Sequence, residues 1–294
     1  MPNLTLREQE PHGTALFPLR VHEFTTDALR SERVPAHWHP ECELLVVMEG
    51  EAALHVDGQT VALGLGDIAL LLPDQLHAIT APVGTPFGFY AIVFDPVFIR
   101  SAAPDAVQQR YLDPVLQRRV TLPVRFAPAD AAYRALRRAL DAIRVSGTAE
   151  QPGFELAVKA QLYLVWAALW AARLGVTPAA SVPSAHVDLA KAVMATIRTH
   201  YAEPLTLAGL ADEFSLSKSH LCRIFKAATK ATVTDYLNDQ RIEQAQARLR
   251  DTSLAVGEIA GQVGFNNISY FNKLFLRRCH QTPRAYRAAT QHKG

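Results

Sequence analysis

Over the first third of the chain, apolar and polar residues alternate in short runs. The segments PLRVHEFT, ELLVVMEG, AALHV, QTVALG, IALLL, HAIT and FGFYAIVF, between Pro18 and Phe94, are rich in β-branched and aromatic residues and read as strands. Turn residues separate them at Glu49-Gly50, Asp57-Gly58, Gly64 to Asp67 and Pro73-Asp74. Asp57-Gly58, flanked by two alternating runs, predicts a two-residue hairpin. Many short strands at even spacing predict a small barrel or jelly roll.

After Pro96 the period lengthens to that of a helix. Residues 129–144 carry a stripe of Tyr133, Leu136, Leu140 and Ile143, and residues 154–174 form a second helix that is apolar over most of its circumference. So much apolar surface needs two neighbours. One is the barrel; the other is either the rest of the same chain or the same helix in a second copy, which would make a homodimer. GVTPAASVPS, residues 175–184, predicts a linker.

The last third contains an internal repeat. LAGLADEFSLSKSHLCRIFK (Leu207 to Lys226) and VGEIAGQVGFNNISYFNKLFL (Val256 to Leu276) align at a spacing that takes Leu210 to Ile259 and Phe225 to Phe275. Each copy reads as a short helix with a small Ala (Ala211, Ala260), a tight turn and a second amphipathic helix. This is the helix-turn-helix unit, whose second helix enters the DNA major groove. Between the copies, Val233 to Asp251 is one uninterrupted helical pattern, about 28 Å long at ~1.5 Å per residue. That length suits two reading helices in successive major grooves, roughly 34 Å apart.

Charge sharpens this division. The chain of 294 residues has a net charge of +2, but the residues from Ser184 onward are net basic and those before it net acidic, which points to a polyanion partner for the C-terminal third only. The fold class is therefore two-domain α+β: a β-barrel or jelly roll with appended helices, then an all-α domain with two helix-turn-helix units. The boundaries read as an N-terminal arm over 1–18, the barrel over 19–96, a helical and dimerisation segment over 97–174, the linker, and the DNA-binding domain over 185–290. No basic start leads into an apolar block, so a cytoplasmic protein is expected. The most apolar run, Leu162 to Ala172, is too short for a bilayer, which needs about 20 such residues, and no membrane partner is expected. Cys42, Cys222 and Cys279 form no CxxC pair, which supports neither a disulfide framework nor a zinc knuckle.

The pattern of LADEFSLSKSHLCRIFK, YLNDQRIEQAQARL and IAGQVGFNNISYFNKLF with TPRAYR behind it resembles the DNA-binding domain of the AraC/XylS family of transcription regulators, over roughly Val187 to Arg287. The resemblance implies double-stranded DNA as partner, RNA polymerase as a further one, transcriptional activation, and no enzymatic role. It places base-reading side chains at Ser219, Cys222 and Arg223, with Lys218 beside them, and at Ser269, Asn272 and Lys273, with Tyr270 beside them. Arg223 can contact guanine O6 and N7 bidentately, and Asn272 can do the same for adenine. Ser217 and Asn266 or Asn267 stand where helix N-caps belong, and free helix N-termini hold phosphates. Lys226, Arg277 and Arg278 read either as phosphate contacts or as a solvated face. Where the family carries glycine in its first turn and after each reading helix, this chain has Ser215, Lys230 and His280, which implies either a strained left-handed residue or a reshaped turn.

HWHPECELLVVMEG in the front domain resembles the first cupin motif, met here by His37, His39, Glu43 and Gly50; Gly66, Pro73 and His77 stand for the second, with Gln75 in a position where many cupins have glycine. The resemblance brings His37, His39, Glu43 and His77 to the mouth of a barrel. Three readings stay open: a pocket for a small effector that includes Tyr90, closed by residues such as Trp38 and Phe89; the same four residues holding a divalent metal, structural or sensing; or a working metal-dependent oxygenase. No cofactor beyond that ion is implied. A redox sensor is disfavoured, since Glu41 and Glu43 flank Cys42 and would hold its thiol protonated. An effector is expected to act by changing how the front domain or the arm of residues 1–18 packs against the linker and a partner subunit.

Overall fold

β-Branched and aromatic residues build strands where alternation places them, in a computed structural model that describes residues 13–25, 33–82, 84–103, 105–149, 152–176 and 185–291. All seven predicted strands form: β1 (Leu19–Thr25), then β3 (Cys42–Glu49), β4 (Ala52–Val56), β5 (Gln59–Leu63), β6 (Ile68–Leu71), β7 (His77–Thr80) and β8 (Gly88–Phe94). An eighth, β2 (Arg33–His37), carries a proline in the sequence RVPAH and shows no alternation; its pairing with β7 shifts register between Val34 and His37. His39 lies in the loop that follows β2. At the β4–β5 hairpin Asp57 and Gly58 both take positive φ, 46° and 84°, as a type I′ turn requires.

Three short strands complete the unit: β9 (Val120–Thr121), β10 (Arg125–Phe126) and β11 (Gly175–Val176). One antiparallel sheet runs β1-β8-β3-β6-β10 and a second runs β2-β7-β4-β5. Side-chain parity along each strand sorts the apolar residues into two cores. Leu45, Val47, Leu54, Leu63, Ile79, Phe87, Phe89 and Val93 pack between the sheets. Leu44, Val46, Tyr90, Ile92 and Phe94 face the other way, onto helices. Those helices are α1 (Asp113–Leu116), α2 (Tyr133–Ala149) and α3 (Phe154–Ala171). The α2 helix begins four residues later than its apolar period predicts, because Ala127 N donates to the Asp130 carboxylate at 2.7 Å and residues 128–132 form turns. Phe17 of the predicted arm packs edge-on against Phe98 and Phe154. The rest of that arm, residues 1–12, and linker residues 177–184 lie outside the described residues. Gly175 and Val176, expected in the linker, pair with Thr121 and Val120.

The C-terminal unit, from His186 onward, is helical: α4 (Ala185–His200), α5 (Leu207–Glu213), α6 (Lys218–Thr229), α7 (Val233–Asp251), α8 (Val256–Gln262), α9 (Ile268–Cys279) and α10 (Pro283–Gln291). The α7 helix has the bounds its pattern predicts. In this unit the repeat extends to the backbone. Ser215 N donates to Asp212 O and Leu216 N to Ala211 O; Gly264 N donates to Gly261 O and Phe265 N to Ala260 O. Around α8 and α9, Ile259, Phe271 and Phe275 form a core with Ile242 and Leu249 of α7. Among the described residues no helix is long and apolar enough to cross a membrane.

Candidate metal centre and nucleic-acid interface

In the front unit β2, β3 and β7, with the loop after β2, bring His37, Glu43, His77 and His39 together. One ligand atom from each lies within 4.8 Å of all the others. Glu43 has the parity of Leu45 and Val47 and so points between the sheets. Its Oε2 lies 3.2 Å from His39 Nε2 and 3.4 Å from His77 Nε2. Four donors held tetrahedrally at ~2.1 Å from one ion are about 3.4 Å apart, so these separations already suit a single cation.

Two of the rings are turned by their outer nitrogens. His37 Nδ1 lies 2.8 Å from Pro35 O and His77 Nδ1 2.8 Å from Gln75 O. A carbonyl only accepts, so each Nδ1 carries a hydrogen, and in the neutral ring Nε2 presents its lone pair. At buried His77 that lone pair would face the Glu43 carboxylate oxygen 3.4 Å away, unless a second proton makes Nε2 a donor to it. Two electron-rich atoms so placed need a cation between them, either a proton or a metal ion. Backbone carbonyls on Nδ1 are the outer partners that metal-binding histidines use; at His39 the nearest carboxylate to Nδ1 is Glu41 Oε2, 3.5 Å away and without a hydrogen bond to it. Burial would raise the Glu43 carboxyl pKa, but hydrogen bonds and charge from His39 and His77 outweigh it and hold the group well below the usual carboxylate range. Three imidazole nitrogens and one carboxylate suit zinc, iron, manganese, nickel or copper, and do not suit calcium or magnesium, which take oxygen ligands.

Tyr90, proposed as an effector contact, is not part of this group. It faces the helices with 1% of its surface exposed, and its hydroxyl donates to Asp141 Oδ1 on α2 at 2.7 Å. Burial, then Asp141, pushes its pKa up. Phe89 lies between the sheets, stacked on Phe24. The Cys42 thiol is buried and raised by that burial, with Asp95 and Glu41 adding to it, which leaves it unreactive. The sequence reading missed Glu41 and the carbonyl of Gln75. Neither carried a signal, since a carbonyl has no residue identity and a second acid beside Glu43 reads as surface.

In the C-terminal unit the predicted reading residues lie on α6 and α9 and on the caps before them. Lys218, Ser219, Arg223 and Lys226 are exposed on α6, with Cys222 half-buried beside them; Ser269, Tyr270, Asn272, Lys273 and Arg277 are exposed on α9. Ser217 and Asn267 cap the two helices, accepting from His220 N at 3.2 Å and Tyr270 N at 2.9 Å. The Tyr270 hydroxyl accepts from Asn238 of α7 at 3.1 Å, which ties α9 to the central helix. Arg278, which the sequence left open, is ion-paired with Asp239 and Asp235 of α7. Ser215, Lys230 and His280 all take the left-handed conformation, at φ 55°, 58° and 55°. The turns are kept, and residues with a Cβ bear the strain.

Both halves of the chain match known families. Residues 23–165 match the AraC-like ligand binding domain and residues 210–289 the Helix-turn-helix domain. The HTH-type transcriptional regulator YdeC of Bacillus subtilis is 25% identical over 96% of both chains. The activator RhaR of Cronobacter sakazakii is 34% identical over 32% of this chain and 34% of its own. AdaA of Bacillus subtilis, a bifunctional transcriptional activator and DNA repair enzyme, is 37% identical over 31% of this chain and 43% of its own. Among solved structures, ToxT of Vibrio cholerae aligns over 92% of this chain and 98% of its own at 13% identity, with a TM-score of 0.46. With a ligand-binding domain in front of a double helix-turn-helix, the chain belongs to the AraC family of DNA-binding transcription regulators.

Proposed function

We propose that this regulator reads DNA through α6 and α9 and that its barrel senses through a divalent transition-metal ion held by His37, His39, Glu43 and His77. The observation that carries the metal reading is the approach of His77 Nε2 to Glu43 Oε2 with Nδ1 already committed to a carbonyl. Four donor atoms so close together leave no room for an organic molecule among them, and Leu45, Leu54, Phe87 and Phe89 pack in the core between the sheets. A small organic effector would therefore approach the outer side of the ion. When bound, the ion would supply positive charge, and the chain's residues would hold and orient it. The attached DNA-reading unit favours a binding role over catalysis, because a regulator needs its ligand retained. Arg223 and Asn272 carry base preference, and Lys226 and Arg277 contact phosphates. The protein works in the cytoplasm, and activation would proceed through contact with RNA polymerase.

The reading includes a homodimer through α3. Leu156 and Leu164 are 76% and 58% exposed, and with the exposed Ala160, Ala167 and Ala171 they form an apolar stripe along one face. The stripe is self-complementary. A two-fold axis close to Leu164 brings Ala160 of one copy to within about one residue of Ala167 of the other, and Glu155 near Arg173, as an isologous interface requires.

The test is metal analysis of protein made without a histidine tag, combined with selection of bound sequences from random duplexes. One transition-metal ion per chain is expected, absent from His77→Ala, with affinity for the selected duplex changed by a chelator. Failure to retain added ion would remove the metal, and an affinity indifferent to the chelator would remove its sensing role.

A further inference from the structure

His77 enters the site at the end of a loop, residues 72–76, whose shape is imposed from outside. Leu72 N donates to Gln75 Oε1 at 2.8 Å, so the Gln75 side chain folds back across the loop. Its Nε2 donates to Asp57 Oδ2 at 2.9 Å, and Leu76 N donates to Asp57 Oδ1 at 3.1 Å. Gln75 O in turn receives His77 Nδ1. Asp57 of the β4–β5 hairpin thus fixes the carbonyl that turns the His77 ring. One further residue grips both ends of this arrangement. Arg118, in the left-handed conformation just after α1, donates through Nη2 to Pro73 O at 2.9 Å and places Nη1 3.7 Å from Asp57 Oδ2.

Arg118 also lies two residues before β9. Val120 and Thr121 pair with Val176 and Gly175 of β11, and Leu174 N donates to Thr121 O at 2.9 Å. By chain order β11 is the last described segment before residues 177–184, beyond which the DNA-binding unit begins. A short covalent and hydrogen-bonded route therefore leads from His77 through Gln75, Asp57 and Arg118 to the strand that feeds the linker.

We propose that Arg118 is a positioning residue that aims His77 through the 72–76 loop and couples occupancy of the site to the β9–β11 pair. This rests on the reading that the four residues bind a metal ion. Replacing Arg118 leaves Pro73 O and the Asp57 carboxylate without their cation, so the loop keeps its ties to Asp57 and to His39 O, which accepts from Asp74 N at 2.8 Å, but loses the one to the chain before β9. An ordered loop binds the ion better, and by reciprocity a bound ion orders the loop, and Arg118 with it. Loss of an outer partner of a metal ligand commonly costs about 10–100-fold in affinity; for a group one step further out, roughly tenfold is expected.

The experiment titrates Zn2+ into chelator-stripped full-length protein and follows hydrogen exchange in the peptide spanning Leu174 to Val176. Wild type should bind Zn2+ and slow exchange in that peptide. Arg118→Ala should bind roughly tenfold more weakly and lose the Zn2+-dependent slowing, Arg118→Lys should fall between, and Arg119→Ala, at the exposed neighbouring position, should match wild type. The tryptophan fluorescence melt of the ion-free variants shows whether the front unit has folded, and Arg118→Lys keeps the test valid if Arg118→Ala has not. Wild-type affinity and slowing in both Arg118 variants would overturn the coupling and leave the metal site standing. No Zn2+ binding by wild type would overturn the metal site and the coupling together.

Discussion

Replacing the left-handed residues of the DNA-binding unit by glycine should stabilise it. A residue with a Cβ in the left-handed region costs roughly 1–2 kcal/mol, and Ser215, Lys230 and His280 occupy it in hydrogen-bonded turns with φ between 55° and 58°. Glycine removes that strain but adds freedom to the unfolded chain worth about 0.4–1 kcal/mol. The difference, about 0.5–1 kcal/mol per site, corresponds to a melting shift of several degrees, since ~1 kcal/mol moves a domain of this size by about 4–8 °C. Lys230→Gly and Ser215→Gly should gain most and His280→Gly least, because histidine tolerates this region better. The three sites share no hydrogen-bond partner, so their gains should add. The assay uses an accident of composition: Trp38, Trp166 and Trp170 are the only tryptophans, all before the linker. Fluorescence therefore reports the front unit, while circular dichroism at 222 nm also follows the helical C-terminal one. The expected outcome is a shifted dichroism transition with an unmoved fluorescence transition. Gly264 is the control in the opposite sense. It has φ 92°, and a Cβ there would stand 2.7 Å from Tyr201 O, so Gly264→Ala should destabilise. Destabilisation by all three glycine substitutions would refute the strain argument.

Other outcomes follow from the same geometry. Arg223→Ala should cost about 1–3 kcal/mol of discrimination between specific and random duplexes, measured by competition binding; unchanged preference would remove Arg223 from the readout. Tyr90→Phe should destabilise the front unit by about 1 kcal/mol through the lost bond to Asp141, with Zn2+ affinity unchanged, since Tyr90 faces the helices. Leu164→Glu should convert a dimer into a monomer in sedimentation, and a wild type that is monomeric with and without DNA would exclude the α3 interface. Glu43 has a folded pKa below its ordinary value of 4.5, so it contributes stability that is present above 4.5 and lost as pH falls from there through the folded value. Ion-free Glu43→Gln should therefore show a weaker loss of stability than wild type over that acid range, and parallel pH profiles would contradict the pairing with His39 and His77.

Much of the fold was legible because alternation and helical period are local. AALHV and HAIT became strands with the bounds their patterns imply, and Val233–Asp251 became one helix. The β2 strand was not legible, because Val34, Pro35 and Ala36 carry no period and the strand exists only by pairing with β7. The four residues that cluster in the front unit share a motif spacing, but their arrangement depends on backbone atoms without sequence identity, Pro35 O and Gln75 O. Tyr90 was misjudged for a physical reason. Residues 87–94 are apolar on both faces of a buried strand, so the sequence alone does not say which parity looks inward, and Phe89 took the inner side.

The contrast between the two units bears on how such a regulator can switch. In the DNA-binding unit the reading helices are tied to α7 at several points, Asn238 to Tyr270 and Asp235 and Asp239 to Arg278, which fixes α9 on its support. The polar site of the front unit is different in kind: the Glu43 carboxylate lies against the Nε2 atoms of His39 and His77, an arrangement that is favourable with a proton or a metal ion between them. A ligand shifts an equilibrium by no more than its difference in affinity for the two states, and a site whose donors converge on one point supplies that difference through the order of the loop that carries His77. On the metal reading, the loop that presents His77 is the element that responds to the ion, and α9, tied to α7, is the fixed one. Substitutions in α6 and α9 should alter which DNA is bound, and substitutions around Asp57, Gln75 and Arg118 should alter whether binding responds to the ion.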